Sequence, residues 1–480
     1  MQRPVLPSRP LVQSALRWMR IRRQSCHQKI SPTCWKSARA PIFSSEMVTR
    51  QCVTTRLTSL MMKRFRWAAA GLPNSLNDEC QPPKFARRTR AMPVKNRIAD
   101  LHDEVAGWRR DIHENPEILY ETHRTSALVA EKLKSFGCDE VVTGIGRTGV
   151  VAVIRGRSDT LGRAIGLRAD MDALPMQEQT GLPHASKTDG AMHACGHDGH
   201  TAMLLGAAKY LAETRNFDGT AVVIFQPAEE GGNGAEAMCK DGLMERFGID
   251  EVYAIHNAPG IELGKFTVRA GPILASVDEF TLVLQGRGGH AAKPQETVDT
   301  TVMMSHIICA LQTVLSRNVD PVLQGVLSVT SAETSSKAFN VIPDRAEVRG
   351  TVRTHSPEAR KLIPERIQAI ADGIAQTFGG TADLAFHLGV PVTINDDSAA
   401  DFAQLAAETV SGVGACQEAN LSMGGEDFSF MLQERPGAMI QLGNGPSAGL
   451  HHPEYDFNDA AIPTGISWFA EMIEQRMPVA

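Results

Sequence analysis

The segment 193–200 concentrates side chains that bind metals and transfer protons. Within eight residues it holds three histidines, one cysteine and one aspartate, namely His193, Cys195, His197, Asp198 and His200. Thiolate and imidazole are the ligands that zinc and related divalent metals prefer, and the two intervening glycines allow the backbone to approach a bound group closely. The segment therefore predicts a metal site. His193 and His200 are interpreted as supporting or helix-capping groups rather than ligands.

Two pairs of carboxylates follow short apolar runs. Asp170 and Asp172 are placed where they can orient a metal-bound histidine, although by themselves they are better explained as a charged turn. Glu229 and Glu230 are adjacent, so one can bind metal while its neighbour takes a proton from water. A solvated acidic loop is the alternative for this second pair, and it would be preferred without the histidine-rich segment.

Two further histidine positions are ambiguous when considered alone. His256 follows the apolar run 252–255, and His451 and His452 lie near the C-terminus. A lone histidine at such a place is more often structural. The combination with the segment 193–200 is what favours a metal centre, because open α/β sheets bind ligands at the carboxyl ends of their strands.

Short apolar runs alternate with helical patterns over the first part of the body of the chain. Helical spacing occurs in 98–110, 125–136 and 201–214, and β-branched runs occur in 149–154, 164–167 and 220–225. Near-continuous apolar strands that alternate with helices indicate a sheet covered on both faces. We therefore predict an α/β fold with a three-layer α/β/α domain, whose first part spans 92–272.

The pattern changes near residue 272. Strands are predicted at 279–284, 326–329 and 346–352, and helices at 297–315 and 357–378. This β-α-β-β-α-β order is a split βαβ unit, a ferredoxin-like arrangement. We expect an inserted α+β domain at 273–391, after which 392–480 returns to the first domain.

The N-terminal stretch differs in composition from the body. Residues 1–95 contain 19 Lys+Arg and three acidic residues, although the whole chain has a formal net charge of -5. Such a stretch is typical of an organellar transit peptide, and its charge could also bind nucleic acid. The preferred interpretation is that 1–91 is an unstructured upstream extension and that Met92 is the start.

Cysteine usage and hydropathy indicate the compartment. The five cysteines after Met92 are widely spaced and odd in number, which does not indicate a disulfide framework. No apolar run reaches the roughly 20 residues that span a bilayer. We expect a cytoplasmic protein that binds neither membrane nor nucleic acid, or a mitochondrial one if 1–91 is a transit peptide.

Seven motifs along the body carry a resemblance to a known family. They are RADMDALP (168–175), HACGHDGHTA (193–202), FQPAEEG (225–231), GRGGHAAKP (286–294), FNVIPD (339–344), GGEDF (424–428) and LHHPEYDFND (450–459). In this order they resemble the aminoacylase/carboxypeptidase family of di-metal peptidases, specifically its hippurate hydrolase and indole-acetyl-amino-acid amidohydrolase branch. The resemblance runs from Ile98 to the C-terminus and does not extend to 1–91.

The resemblance implies that the three-layer domain is a di-metal hydrolase domain and that the inserted domain is a lid or dimerisation domain. It also implies two divalent metal ions per subunit (Mn, Zn, Co or Ni). The implied ligands are Cys195, His197, Glu230, His256 and His451. Five ligands for two ions imply that one is shared, and we expect the Cys195 thiolate to bridge the ions. His451 is preferred to His452 because family members keep a histidine before a variable residue and a proline.

The resemblance also implies catalytic and substrate-binding residues. Glu229 would be the general base, which takes a proton from water and passes it to the leaving amine, and Asp172 would support the centre from behind. His290 would reach the active centre of a second subunit and stabilise the oxyanion, which implies a homodimer or a higher homo-oligomer. Asn340 and Arg353 would hold the carboxylate of the substrate, although without the resemblance they are better explained as a strand-end cap and a surface charge.

Three functions are compatible with these residues. The leading one is a metal-dependent amidohydrolase that cleaves N-acyl amino acids, hippurate-like or N-acetylated, to a carboxylic acid and a free amino acid. A metallo-carboxypeptidase or dipeptidase is the second, and the Cys-x-His pair at 195–197 disfavours it because peptidase relatives tend to use Asp. A non-catalytic metal-binding protein with a hydrolase fold is the third, and the occupied base position disfavours it.

Overall fold

The computed structural model describes residues 93–479 of the chain. The expectations for 1–91 therefore lie outside the described residues. The α-helices of the described part are α1 (Pro93–Asp100), α2 (His102–Glu114), α3 (His123–Ser135), α4 (His197–Thr214), α5 (Gly234–Lys240), α6 (Leu243–Arg246), α7 (Thr300–Leu311), α8 (Thr313–Asn318), α9 (Pro357–Phe378), α10 (Asp397–Ser411), α11 (Phe428–Glu434) and α12 (Ile462–Arg476). None of these helices is long and apolar enough to cross a bilayer.

A mixed sheet of eight strands underlies the candidate residues. Its strands are β1 (Glu140–Ile145), β2 (Gly149–Arg155), β3 (Ala164–Asp170), β4 (Thr220–Gln226), β5 (Glu251–Ala258), β6 (Phe266–Val268), β15 (Cys416–Glu418) and β16 (Gly437–Gly443). They lie in the order β1-β2-β4-β3-β5-β16-β6-β15. Because β4, β3, β5 and β16 run parallel, their carboxyl ends meet at one edge of the sheet.

The central strands face two different apolar cores. On β2, Val150, Ala152 and Ile154 belong to the core that contains residues of α1 to α4, α10 and α12. Val151 belongs to the core that contains residues of α5, α6 and α11. Successive side chains of a strand point to opposite faces, so helices cover the sheet on both sides. The predicted three-layer α/β/α domain is confirmed.

A second sheet is built from the middle of the chain. Its strands are β8 (Ser276–Gln285), β10 (Gly325–Thr334), β12 (Arg345–Thr354) and β13 (Thr381–Leu388). They lie in the order β10-β12-β8-β13 with antiparallel pairing throughout, and α7, α8 and α9 share a core with them. The chain order is β-α-β-β-α-β, so the inserted ferredoxin-like α+β domain is confirmed. Its boundaries at 273 and 391 stay a prediction.

Two short antiparallel ribbons complete the described part. β7 (Gly271–Leu274) pairs with β14 (Thr393–Asn395), and β9 (Gly289–His290) pairs with β11 (Val341–Ile342). The first ribbon lies where the chain enters and leaves the inserted domain. The second ribbon carries two of the predicted functional residues on its strands and loops.

The helix predicted at 297–315 is shorter at its start and divided. α7 begins after Asp299, whose carboxylate accepts hydrogen bonds from two backbone N–H groups of the first turn and so caps the helix. Gln312 then separates α7 from α8. Apolar spacing alone predicted one helix because both halves place their buried residues on the same core.

Candidate metal centre

The carboxyl edge of the parallel strands brings distant candidate residues together. β3 ends at Asp170, β4 leads into Glu229 and Glu230, and His256 lies near the end of β5. α4 begins at His197, so the segment 193–200 enters at the same edge. The parallel register of these strands is what makes four separate segments of the sequence neighbours in space.

Two groups of candidate metal ligands share Cys195. One group consists of Cys195, His197 and His256, and the other of Cys195, Glu230 and His451, with the ligand atoms of each group within 4.8 Å of one another. Sγ of Cys195 is 3.5 Å from Nε2 of His256, and Nε2 of His451 is 3.2 Å from Oε1 of Glu230. The five residues that the resemblance implied as ligands therefore converge, with the thiol common to both groups.

Hydrogen bonds through Nδ1 leave Nε2 of His197 and Nε2 of His256 free to face the centre. Nδ1 of His197 donates to the carbonyl oxygen of Asp172 at 2.8 Å, and its buried Nε2 has no hydrogen-bond partner. Nδ1 of His256 donates to the carbonyl oxygen of Asn257 at 2.7 Å, so Nε2 faces Cys195. A ring held through Nδ1 presents Nε2 in the way that metal ligation requires. Thiol, imidazole and carboxylate donors in this arrangement fit a pair of divalent cations.

The centre buries several acidic groups. Burial, followed by the carboxylates of Glu426 and Asp427, holds the pKa of Glu229 well above its usual range. Burial raises the pKa of the Cys195 thiol and lowers the pKa of His256 to about 3. A bound cation favours the thiolate, the carboxylate and the neutral imidazole. Metal binding here is therefore expected to release protons.

Asp172 holds the loop that carries the two glutamates. Its Oδ1 accepts a hydrogen bond from the backbone N–H of Glu229 at 2.9 Å, and its Oδ2 accepts one from Glu230 at 3.1 Å. The carboxylate lies 3.6 Å from Nδ1 of His197, which bonds to the main-chain carbonyl of Asp172. The expected orientation of a histidine is therefore performed by the carbonyl, while the carboxylate holds the backbone of Glu229 and Glu230.

The other two histidines of the segment 193–200 lie outside both groups. Nδ1 of His200 donates to Oδ1 of Asp170 at 2.7 Å, and its Nε2 accepts from the backbone N–H of Asn257 at 2.9 Å. Both ring nitrogens of His193 are buried without a hydrogen-bond partner. His200 thus links the end of β3 to the end of β5 through hydrogen bonds, beside His256. This position fits the expected role of supporting the candidate ligands.

A cavity of about 1420 Å³ between the two domains exposes the centre. Cys195 and Glu229 line it on the catalytic side, and Arg353 lines it on the side of the inserted domain. Nη1 of Arg353 donates to the carbonyl oxygen of Met423 at 3.0 Å, which holds one side of the guanidinium. Glu229, four of the five candidate ligands and the guanidinium of Arg353 therefore line one cleft.

His290 and Asn340 do not line this cavity. They lie together on the ribbon of β9 and β11, where the backbone N–H of Ala291 donates to the carbonyl oxygen of Asn340 at 3.0 Å. Both side chains are exposed. Within a single chain the structure therefore brings Arg353 to the centre and leaves His290 and Asn340 outside it.

Glu426 and Asp427 lie beside the centre, and sequence reasoning assigned no role to either of them. Both are buried, and their oxygens lie within 4.8 Å of those of Glu229. The motif GGEDF was the available signal, because adjacent acids directly before an apolar helix are seldom buried without a specific partner.

Comparisons with known proteins agree with this geometry. A model of peptidase family M20/M25/M40 matches residues 166–475. The hippurate hydrolase of Campylobacter jejuni is 44% identical over 377 residues, which are 78% of this chain and 97% of the relative. The N-acetylcysteine deacetylase of Bacillus subtilis is 38% identical over 374 residues, covering 78% and 96%.

A solved structure extends the comparison to three dimensions. The Bacillus subtilis protein YxeP, described as a dinuclear metal-binding peptidase from the M20 family, superimposes with a TM-score of 0.71 at 35% identity. The match covers 80% of this chain and 100% of that one. Fold, motifs and candidate ligands thus lead to the same group of enzymes. The chain belongs to peptidase family M20/M25/M40, in the branch that contains hippurate hydrolase.

Proposed function

We propose that this hydrolase cleaves the amide bond of N-acyl amino acids, giving a carboxylic acid and a free amino acid. The observation that carries the proposal is the pair of ligand groups that share Cys195 beside Glu229, in a cleft that Arg353 also lines. The similarity to a hippurate hydrolase and an N-acetylcysteine deacetylase supports the same substrate class.

The residues divide the chemistry between them. Two divalent cations, when bound, lower the pKa of water and polarise a carbonyl group. Glu229 takes the proton from the attacking water and delivers it to the leaving nitrogen. Asp172 keeps that carboxylate in place through the backbone N–H groups of Glu229 and Glu230. Mn, Zn, Co and Ni are all compatible with this mixed donor set.

Arg353 is proposed to bind the free carboxylate of the substrate. One of its donors is engaged by Met423, and the planar guanidinium can offer two parallel N–H groups to a carboxylate. This contact would select amides whose leaving group is an amino acid over simple amides. It would also orient the scissile bond toward Glu229.

We further propose a homodimer as the working form, in the cytoplasm. The exposed positions of His290 and Asn340 outside the cavity of their own chain support a role in the cleft of a second copy. There His290 would donate a hydrogen bond to the developing oxyanion, and Asn340 would contact the substrate carboxylate. The free state of Cys138, Cys195, Cys239, Cys309 and Cys416 supports a reducing compartment.

A substrate panel with one active-site variant tests the proposal. Hippurate, N-acetyl amino acids and dipeptides are assayed with each of the four metals and with a chelator. We expect turnover of N-acyl amino acids that the chelator abolishes, and loss of turnover in Glu229→Gln with both metals retained, because only the proton acceptor is removed.

The panel also separates the alternatives. Faster cleavage of dipeptides than of N-acyl amino acids would favour the carboxypeptidase or dipeptidase function. Metal binding without turnover of any compound would favour a binding protein. Glu229→Gln protein that loses its metals would contradict the assignment of Glu229 as the base.

A further inference from the structure

Arg168 is a buried cation that joins four acceptors behind the metal centre. It lies on β3 with 1% of its surface exposed. Nε donates to Gln226 at 2.7 Å, Nη1 donates to Asp170 at 2.8 Å, and Nη2 donates to Glu426 at 2.9 Å and to Asp427 at 3.1 Å. These partners come from the ends of two strands and from the loop that precedes α11.

Two of these partners hold the loop that carries the general base. The base loop, residues 227–233, runs from β4 to α5. Asp427 accepts a hydrogen bond from the side-chain amide of Gln226 at 2.7 Å, just before the loop, and one from the backbone N–H of Ala235 at 2.9 Å, just after it. Arg168 bonds to both Gln226 and Asp427, so it holds the residues that anchor the two ends of the base loop.

A third partner, Asp170, bonds to His200 and lies near His197. Oδ1 of Asp170 accepts from Nδ1 of His200 at 2.7 Å, and Oδ2 of Asp170, which Arg168 binds, is 3.7 Å from Nε2 of His197. The guanidinium therefore contacts a carboxylate beside the segment 193–200 on one side and the residues that anchor the base loop on the other.

The contact pattern requires the shape of a guanidinium as well as its charge. Five N–H donors in a rigid plane can serve acceptors in several directions at once. The ammonium of lysine is a single point charge with three donors on a flexible stem. Lysine would therefore retain the positive charge but lose some of the hydrogen bonds that the guanidinium makes. This difference allows positioning to be separated from charge balance.

We propose that Arg168 is a positioning residue that sets the placement of the base loop relative to the segment 193–200, and thereby of Glu229 relative to the ligand groups. The inference rests on the proposed function for its kinetic consequence. Arg168 does not line the cleft, so its effect on turnover has to pass through the residues that it holds.

Replacement Arg168→Lys tests the proposal by separating kcat from KM. We expect kcat to fall by about 10- to 100-fold, the usual range for groups that support metal ligands, with KM nearly unchanged because Arg353, the proposed contact of the substrate carboxylate, is untouched. Both metals are expected to remain bound. An unchanged kcat, or a loss that resides entirely in KM, would overturn the assignment.

A double-mutant cycle with Gln226→Met addresses folding and mechanism together. Methionine keeps the length of the side chain but removes the bonds to Arg168 and Asp427. If Arg168 acts through the base loop, the two losses in kcat will not multiply in the double variant, because the second change removes a contact that is already broken. Fully multiplicative losses would contradict the route through Gln226, and this variant remains informative if Arg168→Lys fails to fold.

The matched control is Arg476→Lys. Arg476 is also largely buried and donates from Nε to Glu251 at 3.0 Å, but Glu251 starts β5, at the end of that strand opposite His256. We expect comparable destabilisation with unchanged kcat. An equal loss of kcat in this control would show that Arg168→Lys acts through general destabilisation of the fold, and would contradict the proposed positioning role.

A spectroscopic measurement keeps the inference separate from the proposed substrate class. In protein loaded with Co(II), the visible absorption bands report the ligand geometry, to which Glu230 on the base loop contributes. Arg168→Lys and Gln226→Met are expected to shift these bands, and Arg476→Lys is not. Shifted bands with no turnover of any N-acyl amino acid by the unaltered protein would refute the proposed function alone, whereas unshifted bands would refute the role of Arg168.

Discussion

At the scale of single residues, Cys195 has the largest influence on the centre. It belongs to both ligand groups, whereas each of the other candidate ligands joins Cys195 in only one of them. A thiolate shared by both groups would hold two cations with one negative charge and would allow five side chains to serve two ions. The assignment of a shared ligand is therefore open to a stoichiometric test.

Replacement of Cys195 and of His451 should give different metal counts. We expect Cys195→Ser to bind less than one ion per chain, because both groups lose their common donor, and His451→Ala to retain about one, because the group of Cys195, His197 and His256 stays intact. Metal analysis after dialysis measures both. Two ions retained by Cys195→Ser would contradict the bridge.

His113 illustrates a residue whose charge state matters for stability rather than for catalysis. It is buried on α2, and Nδ1 donates to Asp198 at 2.8 Å. Burial opposes its protonation, but the carboxylate of Asp198 prevails and raises the pKa of His113 to about 9. A folded-state pKa above the unfolded value of 6.5 stabilises the fold below pH 6.5, and this contribution is lost as pH rises through 9.

The unfolding free energy of the metal-free protein should therefore fall between pH 6.5 and pH 9. The shift corresponds to on the order of 3 kcal/mol. Urea unfolding at several pH values, with a chelator present, measures it for the unaltered chain and for His113→Gln. We expect the variant to lose this pH dependence, and an identical slope in both proteins would show that another group causes it.

At the scale of elements, α4 has to approach its neighbours closely because it begins within the metal centre. Gly199 lies in its first turn, and a methyl group there would come within 2.3 Å of the ring of Phe457. Gly373, on the exposed side of α9, has no neighbour within 4 Å of the same position. The two glycines thus form a matched pair in helices of different environment.

Alanine should have opposite effects at these two positions. Gly199→Ala is expected to reduce the unfolding free energy by about 1–3 kcal/mol through overpacking and to weaken metal binding, because it displaces the start of α4. Gly373→Ala is expected to add about 0.5–1 kcal/mol, since alanine favours the helix and meets nothing. Chemical denaturation measures both, and equal effects would contradict the packing argument.

At the scale of the whole molecule, the two domains contribute unequally to the cleft of one chain. Arg353 lines the cleft, but His290 and Asn340 lie elsewhere on the same inserted domain. A closed symmetric dimer would let each chain supply the ribbon of β9 and β11 to the other. The resulting active site would combine Glu229 from one copy with His290 from its partner.

Mixing two inactive variants tests this arrangement. Glu229→Gln and His290→Ala each remove one part of every site, but a hybrid dimer holds one site with both residues native. After unfolding and refolding of an equal mixture, we expect about a quarter of the unaltered activity, because half of the dimers are hybrids with one working site. No recovery, with hybrids verified by mass spectrometry, would place His290 in its own chain's site.

The fold could be predicted in outline because its signals are local or periodic. Alternating apolar runs and helical spacing predicted the three-layer domain, and the order of elements predicted the inserted sheet. The prediction of one continuous helix over 297–315 was wrong at its start, because capping by Asp299 depends on a side-chain contact that apolar spacing does not register. It was also wrong in its continuity, because α7 and α8 are separated at Gln312.

The sequence by itself determined which chemistry is available. Clustered histidine and cysteine, paired glutamates and the family motifs all follow from residue type and spacing. The tertiary structure alone decided that Cys195 is common to two groups, that the carboxylate of Asp172 binds the base loop while its carbonyl orients His197, and that Arg168 joins both sides of the centre. Distances between residues 168, 195, 256, 427 and 451 depend on the order and register of parallel strands, and these long-range pairings leave no local pattern in the chain.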